Sequence, residues 1–360
     1  MIAIVLGTRP EIIKMSPVVR ECQKRKLDHL VLHTGQHYSY AMDRVFFEEL
    51  ELPDPAFKLD VGSGAHGEQT GKMLTGIEKV LTKQRPDIVL VQGDTNTVLA
   101  GALAASKLGV RVGHVEAGLR CYDRSMPEEI NRVLADHLSQ LLFVPTNVAR
   151  QHLAKEGITK GVYKTGNTIV DAVRQNLDLA ERKSNVLHRL GLEDDDYLVA
   201  TAHRQENVDD PKRLKGVIEG LQRVSDELKM TLVLPTHPRT RKRIEEFGLR
   251  SDGILLTEPL GYLDFLILEA NSRLILTDSG GVQEEACILH VPCVTMREST
   301  ERPETIAVKA NLLAGTNPKV ISEMARRQMR VRTRWRNPFG DGRAAERIVA
   351  RCASKRKRPG

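Results

Sequence analysis

Thr277-Asp278-Ser279-Gly280-Gly281-Val282-Gln283-Glu284-Glu285-Ala286 is the stretch from which the architecture of this chain is read. An apolar run, 274–276, precedes it and another, 286–289, follows, so it predicts a strand, a tight turn and a helix. Paired glycines at a helix start let a phosphate approach backbone N–H groups, where the helix dipole is positive. Two glutamates one turn later suit hydrogen bonds to sugar hydroxyls beside that phosphate. A glycine pair alone fits an ordinary strand–helix turn capped by Ser279 equally well. With Asp278-Ser279 before it and Gln283-Glu284-Glu285 after it, the turn reads as a place for a nucleotide diphosphate joined to a sugar.

The same alternation extends in both directions. Short β-branched runs at 2–6, 30–33, 88–91, 110–115, 141–144 and 162–165 alternate with helical stretches such as 11–24, 67–83 and 97–108. The pattern then runs again, with strands at 197–202, 231–235, 254–257, 274–276 and 291–296. A helix at 168–183 leads into the join, and the polar turn 191–196 stands before the second series. Alternation of this length predicts parallel sheets covered on both faces. At 360 residues the chain is long for one core, so two domains are expected. The fold class is therefore α/β: two Rossmann-like, doubly wound parallel-sheet domains facing a cleft, with ligands at the strand C-termini.

Composition narrows the classes. Hydrophobic content of 41% and charged content of 28% fit a globular protein. The apolar runs are only strand-length, which excludes a membrane span. Met1 leads straight into the first strand without a basic-then-apolar leader, an argument against secretion. Cys22, Cys121, Cys287, Cys293 and Cys352 are odd in number and show no CxxC spacing, so a reducing cytoplasm is expected. The net charge of +7 is local: residues 324–358 hold thirteen Lys or Arg against Asp341 and Glu346, a surplus of +11 that leaves −4 elsewhere. Only Trp335 and Phe339 interleave with that basicity, so it reads as a solvated helix over 326–336 and a frayed tail at 355–358 rather than a nucleic-acid surface.

Chemistry-bearing residues fall at predicted strand ends. Gly7-Thr8-Arg9-Pro10-Glu11, followed by Lys14, sets two cations at a helix start that suit a pyrophosphate. Its single glycine excludes the G-x-G-x-x-G turn of a dinucleotide site, so no NAD is expected. Gly93-Asp94-Thr95 and His114-Val115-Glu116 each end a strand in a carboxylate, and buried carboxylates are costly without a task. Glu128 and Glu129 follow Pro127 in a helix's first turn, where dipole complementation alone accounts for them. His203-Arg204 and His237 follow strands of the second series; His203 reads as functional, while His237 stays open between function and structure. Arg302 before Pro303 points a guanidinium from a helix start towards phosphate. No HExxH or His-plus-carboxylate spacing occurs, so no metal is expected.

Taken in order, Gly7–Glu11, Gly93–Thr95, His114–Arg120, Pro127–Arg132, Thr165–Thr168, Asp278–Ala286 and Thr300–Glu304 resemble the non-hydrolysing UDP-N-acetylglucosamine 2-epimerases, from Ile2 to about Arg347. The resemblance implies the GT-B architecture, with a first domain at 1–183, a UDP-binding domain at 184–340, and a C-terminal helix over 341–352 that crosses back onto the first. It implies UDP resting on Ser279, Gly280 and Gly281, Glu285 on the ribose, Phe265 near the uracil, and Arg9 and Arg302 at the phosphates. Asp94, Glu116, Glu128 and His203 match the family's catalytic positions, Lys14 and Arg132 its sugar- or phosphate-side positions, with Arg204 supporting. The loop Gly35-Gln36-His37-Tyr38-Ser39-Tyr40-Ala41-Met42 departs from the common bacterial pattern and is closer to archaeal relatives. Bacterial members use this region to bind a second UDP-N-acetylglucosamine as activator; Gln36 and Gln69 remain here.

The implied activity interconverts UDP-N-acetylglucosamine and UDP-N-acetylmannosamine through loss of UDP, a 2-acetamidoglucal intermediate and re-addition. It implies no cofactor, a homodimer, and a supply of sugars for polysaccharide biosynthesis. Three rivals share the nucleotide-sugar half: a retaining GT-B glycosyltransferase, a hydrolysing 2-epimerase and a non-catalytic nucleotide-sugar sensor. The cluster Asp94, Glu116, Glu128 favours proton abstraction at carbon 2.

Overall fold

The computed structural model describes residues 1–36, 40–193 and 195–354, the side chains of 40–42 excepted. The centre of the 35–42 loop, Asp194 and the 355–358 tail lie outside the described residues. The chain divides into two compact units, Met1–Gln175 with Phe339–Gly360, and Asn176–Pro338.

The first unit is built on β1 (Ile2–Leu6), β2 (His29–His33), β3 (Phe57–Lys58), β4 (Ile88–Gln92), β5 (Arg111–Val115), β6 (Leu141–Val144) and β7 (Val162–Lys164). They form one parallel sheet in the order β3-β2-β1-β4-β5-β6-β7. The central strands are Ile-Ala-Ile-Val-Leu and Ile-Val-Leu-Val-Gln, buried along their whole length because helices cover both faces. The second unit holds β8 (Tyr197–Thr201), β9 (Thr231–Pro235), β10 (Ile254–Thr257), β11 (Leu274–Thr277), β12 (Cys293–Thr295) and β13 (Asn311–Leu313). Its sheet is again parallel, in the order β10-β9-β8-β11-β12-β13.

In each sheet the winding reverses beside the first strand, between β1 and β4 and between β8 and β11. Loops leaving two such strands run to opposite faces and open a crevice at their carboxyl ends, the usual ligand position in open α/β sheets. The turns at 7–9, 93–95, 201–204 and 277–280 are the four that meet this condition.

The last helix, Ala344–Ala353, belongs to the first unit. Its buried face (Ala344, Ala345, Ile348, Val349, Cys352) packs on the helix Arg9–Lys24. The Asp171 carboxylate caps it from another element, accepting the Ala344 N–H at 3.2 Å and the Ala345 N–H at 2.9 Å. Asp341 lies before the helix and pairs with Arg347 at 2.7 Å.

Two readings need correction, and the edge strands β3 and β13 lie outside the expected runs. The strand expected over 291–296 shortens to Cys293–Thr295. The basic stretch 326–336 is not one solvated helix: the helix Pro318–Gln328 ends within it, and buried Trp335 donates its indole N–H to the Cys287 carbonyl at 2.9 Å.

Candidate active site

In the first unit the site begins where β4 and β5 stop. Gln92 pairs with Val115 in register, and the Gly93 N–H donates to the Val115 carbonyl at 3.1 Å, so Asp94 and Glu116 leave adjacent strands. Glu116 has φ +70°, a left-handed conformation that costs a non-glycine residue about 1–2 kcal/mol. Its own N–H and that of Ala117 hold the turn by donating to the Phe143 carbonyl at 3.1 and 3.2 Å. Such strain concentrates at functional sites.

The Glu116 side chain is 4% exposed. Its carboxylate accepts from Lys14 Nζ on both oxygens, at 2.8 and 2.9 Å, from Gln92 Nε2, and from Asn167 Nδ2 at 3.3 Å. A buried charge is tolerable only with this degree of pairing and hydrogen bonding. Asp94, its side chain 33% exposed, takes a guanidinium hydrogen bond from Arg132, and its carbonyl accepts from Asn131 Nδ2 at 3.0 Å. Lys14 and Arg132 thus each engage an acid of the site. Arg9 is exposed and lies over the Phe46 ring, 4.8 Å from its centroid.

Glu128 and Glu129 part company. Glu129 is buried and accepts from the Cys121 and Tyr122 N–H groups at 3.1 and 3.0 Å and from Arg132 Nη1 at 3.1 Å. Burial works to raise its pKa, but these donors and the Arg132 charge bring it below the usual value. Glu128 is exposed in the first turn of the helix Pro127–Leu138, with no hydrogen bond or ion pair among the described residues.

Gln36 and Gln69 are engaged within the protein. Gln69 Nε2 donates to the Gln36 carbonyl at 2.7 Å, and Gln36 Oε1 accepts from the Thr97 N–H and hydroxyl at 3.0 and 2.9 Å. From Gln69 the chain of hydrogen bonds continues through Asn96 to Asn131, and so to the Asp94 carbonyl.

In the second unit Asp278 organises the turn beside it. Its buried carboxylate accepts from the His203 N–H at 3.1 Å, the Arg204 N–H at 3.0 Å and Asn207 Nδ2 at 3.2 Å. His203 Nδ1 lies 3.2 Å from the same carboxylate, while its side chain is half exposed. Burial pushes the Asp278 pKa up, but the His203 contact and the backbone donors outweigh it and the net direction is down. His237 accepts the Arg239 N–H at 3.2 Å and caps the helix Pro238–Glu246, a structural role.

Ser279 caps the helix Gly280–Leu289, its hydroxyl accepting from the Val282 N–H at 3.5 Å. Neither Gly280 nor Gly281 has a positive φ, and a Cβ at either would meet no protein atom closer than 3.8 Å. The protein's own packing therefore does not require glycine here; a Cβ at either position would make only ordinary van der Waals contact at the helix N-terminus. Arg302 lies 4.0 Å from the Gly280 Cβ position, its Nε donating to buried Glu284 at 2.6 Å. Glu301 sits beside it. Burial raises the Glu301 pKa, yet the two-pronged Arg297 contact at 3.0 Å brings it down to about 2. Glu285 is buried one turn into the helix, facing the phenol of Tyr262. Phe265 is half-buried against the sheet of this unit.

Gln92 and Asn167, both on Glu116, were not singled out from sequence, although each stands inside or beside a quoted motif. Glu11 was also missed. It is buried, and its carboxylate receives the Gly7 and Thr8 N–H groups at 2.7 and 2.8 Å and the Thr95 hydroxyl at 2.5 Å. It therefore occupies the amides of the 7–9 turn and ties that turn to the residue after Asp94. Among the described residues no group of three or more His, Cys, Asp or Glu is placed to hold a metal ion, and no helix is long and apolar enough to cross a membrane.

Two parallel sheets wound in this order, each presenting a built turn at its switch point, put the protein in the GT-B class. Comparison with known sequences narrows that class. A sequence model described as UDP-N-acetylglucosamine 2-epimerase matches residues 20–352. The UDP-N-acetylglucosamine 2-epimerase of Methanocaldococcus jannaschii is 54% identical, with 97% of each chain covered. A UDP-2,3-diacetamido-2,3-dideoxy-D-glucuronate 2-epimerase of Pseudomonas aeruginosa is 43% identical, covering 96% of this chain and 97% of its own. The crystal structure of the M. jannaschii enzyme in complex with UDP-GlcNAc and UDP superposes with a TM-score of 0.88, covering 97% of this chain and 98% of that one. The Neisseria meningitidis UDP-GlcNAc 2-epimerase bound to UDP-GlcNAc gives 0.87 at 33% identity, with the same coverage. The chain belongs to the UDP-N-acetylglucosamine 2-epimerase family, and so to the isomerases.

The buried Glu11 yields a stability test. Burial drives its carboxyl from 4.5 to about 7, against the hydrogen bonds from Thr95, Gly7 and Thr8. A folded-state pKa above the unfolded one means a contribution complete below about 4.5 and lost as pH rises through about 7. The span corresponds to roughly 3 kcal/mol at 1.36 kcal/mol per pH unit. Urea unfolding of the wild type and Glu11→Gln at several pH values should show the variant's stability relative to wild type rising across that window. A difference that is flat with pH overturns the assignment.

Proposed function

We propose that this chain interconverts UDP-N-acetylglucosamine and UDP-N-acetylmannosamine without net hydrolysis. The observation that carries the reading is the pair of carboxylates at the ends of β4 and β5, each engaged by a cation: Asp94 with Arg132 and Glu116 with Lys14. Carbon 2 of the sugar has no adjacent carbonyl, so its proton is barely acidic. Breaking the carbon 1–oxygen bond sends the electron pair out with UDP and builds positive charge beside carbon 2. Transfer of the carbon 2 proton to a carboxylate then forms the carbon 1–carbon 2 double bond of 2-acetamidoglucal. Delivery of a proton to the other face of carbon 2, with return of the UDP oxygen to carbon 1, gives the manno epimer. One proton leaves and one returns, so no redox partner is needed.

In this reading Asp94, Glu116 and Glu128 move the protons and stabilise the intermediate. Ser279, Gly280 and Gly281 hold the diphosphate at the helix N-terminus, with Arg9 and Arg302 as its cations. Glu285 takes the ribose, Phe265 the uracil side, and His203 with Arg204 the diphosphate or sugar. Lys14 and Arg132 serve the sugar side through the acids they engage. The acids belong to one unit and most diphosphate groups to the other, so neither unit alone carries the full set.

Two finer points belong to the same proposal. Ile130 and Leu134 are 47% and 44% exposed, one turn apart on the helix Pro127–Leu138, which supports a homodimer. Sedimentation of the wild type as a monomer at micromolar concentration overturns it. The five cysteines are all free thiols, which supports the reducing cytoplasm.

In deuterated water, substrate recovered from the reaction should carry deuterium at carbon 2, together with the manno epimer and traces of UDP, as read by NMR. Asp94→Asn and Glu116→Gln should each slow exchange by about 100- to 10,000-fold. Unlabelled substrate with no epimer defeats the reading; free N-acetylmannosamine as sole sugar product identifies a hydrolysing enzyme. The glycine pair supplies a separate measurement. Gly280→Ala meets no packing conflict, so thermal unfolding should stay within a few degrees of wild type while UDP affinity, by calorimetry, falls at least about tenfold. Unchanged affinity removes the diphosphate from this turn.

A further inference from the structure

His114, two residues before Glu116 on β5, is fully buried, and both of its ring nitrogens face oxygen acceptors. Nδ1 is 2.7 Å from Asp136 Oδ1, and Nε2 is 2.8 Å from the carbonyl oxygen of Gly93. A neutral imidazole has one N–H, so one nitrogen would turn a lone pair towards an oxygen at hydrogen-bond distance. Only the imidazolium donates on both sides.

The surroundings supply the countercharge. Asp136, on the helix Pro127–Leu138, also accepts from the Gly118 N–H at 3.1 Å and pairs with Arg120 at 2.7 Å. Arg120 in turn pairs with Glu156 at 2.6 Å. With His114 protonated the four groups balance, two cations against two anions; with His114 neutral the buried cluster holds an excess negative charge. The remaining titratable group that faces the ring is Glu116, in the turn that follows its own strand.

The Gly93 carbonyl is half of the peptide group that leads into Asp94. Fixing its plane fixes the direction in which the Asp94 side chain leaves β4, and Gly93, at φ +85°, has no side chain to do so itself. We propose that His114 is a permanently protonated strut: a positioning residue that clamps the Gly93–Asp94 peptide to Asp136 and so sets Asp94 against Glu116. The inference rests on the reading of Asp94 and Glu116 as the proton-moving acids.

Charge balance agrees with this geometry. Burial alone would lower the histidine pKa, but attraction and hydrogen bonding to Asp136, the Gly93 carbonyl and Glu116 raise it above the ordinary value. The group's contribution to stability is therefore complete below the ordinary histidine pKa and lost only as pH rises through the higher folded value.

The test uses the full chain labelled with ¹⁵N-histidine. At about pH 8, where an ordinary histidine is neutral, both His114 ring nitrogens should carry a directly bonded proton; a single protonated nitrogen overturns the proposal. In parallel, His114→Gln, which offers donors from one nitrogen only, should lower kcat on the order of 100-fold with little change in KM. Asp136→Asn should lower kcat and return the ring to one proton. Wild-type kcat in His114→Gln overturns the positioning role; should that variant not fold, the wild-type ring spectrum and Asp136→Asn still decide. Full activity in Asp94→Asn would instead overturn the underlying functional reading, and the ring protonation would be judged independently of it.

Discussion

A carboxylate held out of water at the end of a parallel strand is the constraint around which the first unit is arranged. Glu116 brings a negative charge into a region where an uncompensated ion costs several kcal/mol. The fold answers with elements far apart in sequence: Lys14 from the first helix, Gln92 from the neighbouring strand and Asn167 from the start of the helix Thr168–Lys183. Those partners also pin the elements that carry them. Removing Lys14 would take its cation from a buried anion, whereas removing the pair together would cost less, the usual asymmetry of buried ion pairs. The left-handed backbone at Glu116 is retained because hydrogen bonds from three side chains and its own link to the Phe143 carbonyl over-determine its position.

The second unit uses its buried charge differently. Asp278 is enclosed by backbone N–H groups and Asn207, and its work is internal: it fastens the 203–204 turn to the β11 end. What faces outward is His203, oriented through Nδ1, and the amides of the glycine-started helix. The contrast between glycines is informative. Gly118, at φ +80°, would place a Cβ 2.4 Å from the Ala149 carbonyl oxygen, so the fold itself demands it. Gly280 and Gly281 have no such reason within the protein.

Much of this was legible in the residues. Apolar strand runs such as Ile2–Leu6 and Thr231–Pro235 announced a doubly wound α/β chain because strands buried on both faces need no alternation. Asp94, Glu116 and the 277–286 turn stood out because polar residues directly follow those runs. What was not legible is the partner of each charge. Nothing local to Lys14 shows that it reaches 102 positions along the chain to Glu116, or that Glu11 folds back onto Gly7 and Thr8. Tertiary pairing of this kind is set by the sheet order, which a linear pattern does not contain. Glu128 and Glu129 make the point sharply: identical neighbours in one helical turn, they separate into an exposed carboxylate and a buried capping group because successive helical positions point about 100° apart.

That separation bears on the division of labour in the proposed reaction. Epimerisation by elimination takes a proton from one face of carbon 2 and delivers one to the other, so the two groups responsible begin in opposite protonation states. Asp94 and Glu116 each have a cation within ion-pair distance, Arg132 and Lys14. Glu128 has no ion pair among the described residues and stands exposed in the first turn of its helix. On the proposed mechanism, that difference in pairing is the asymmetry among the three acids on which the two proton transfers can draw.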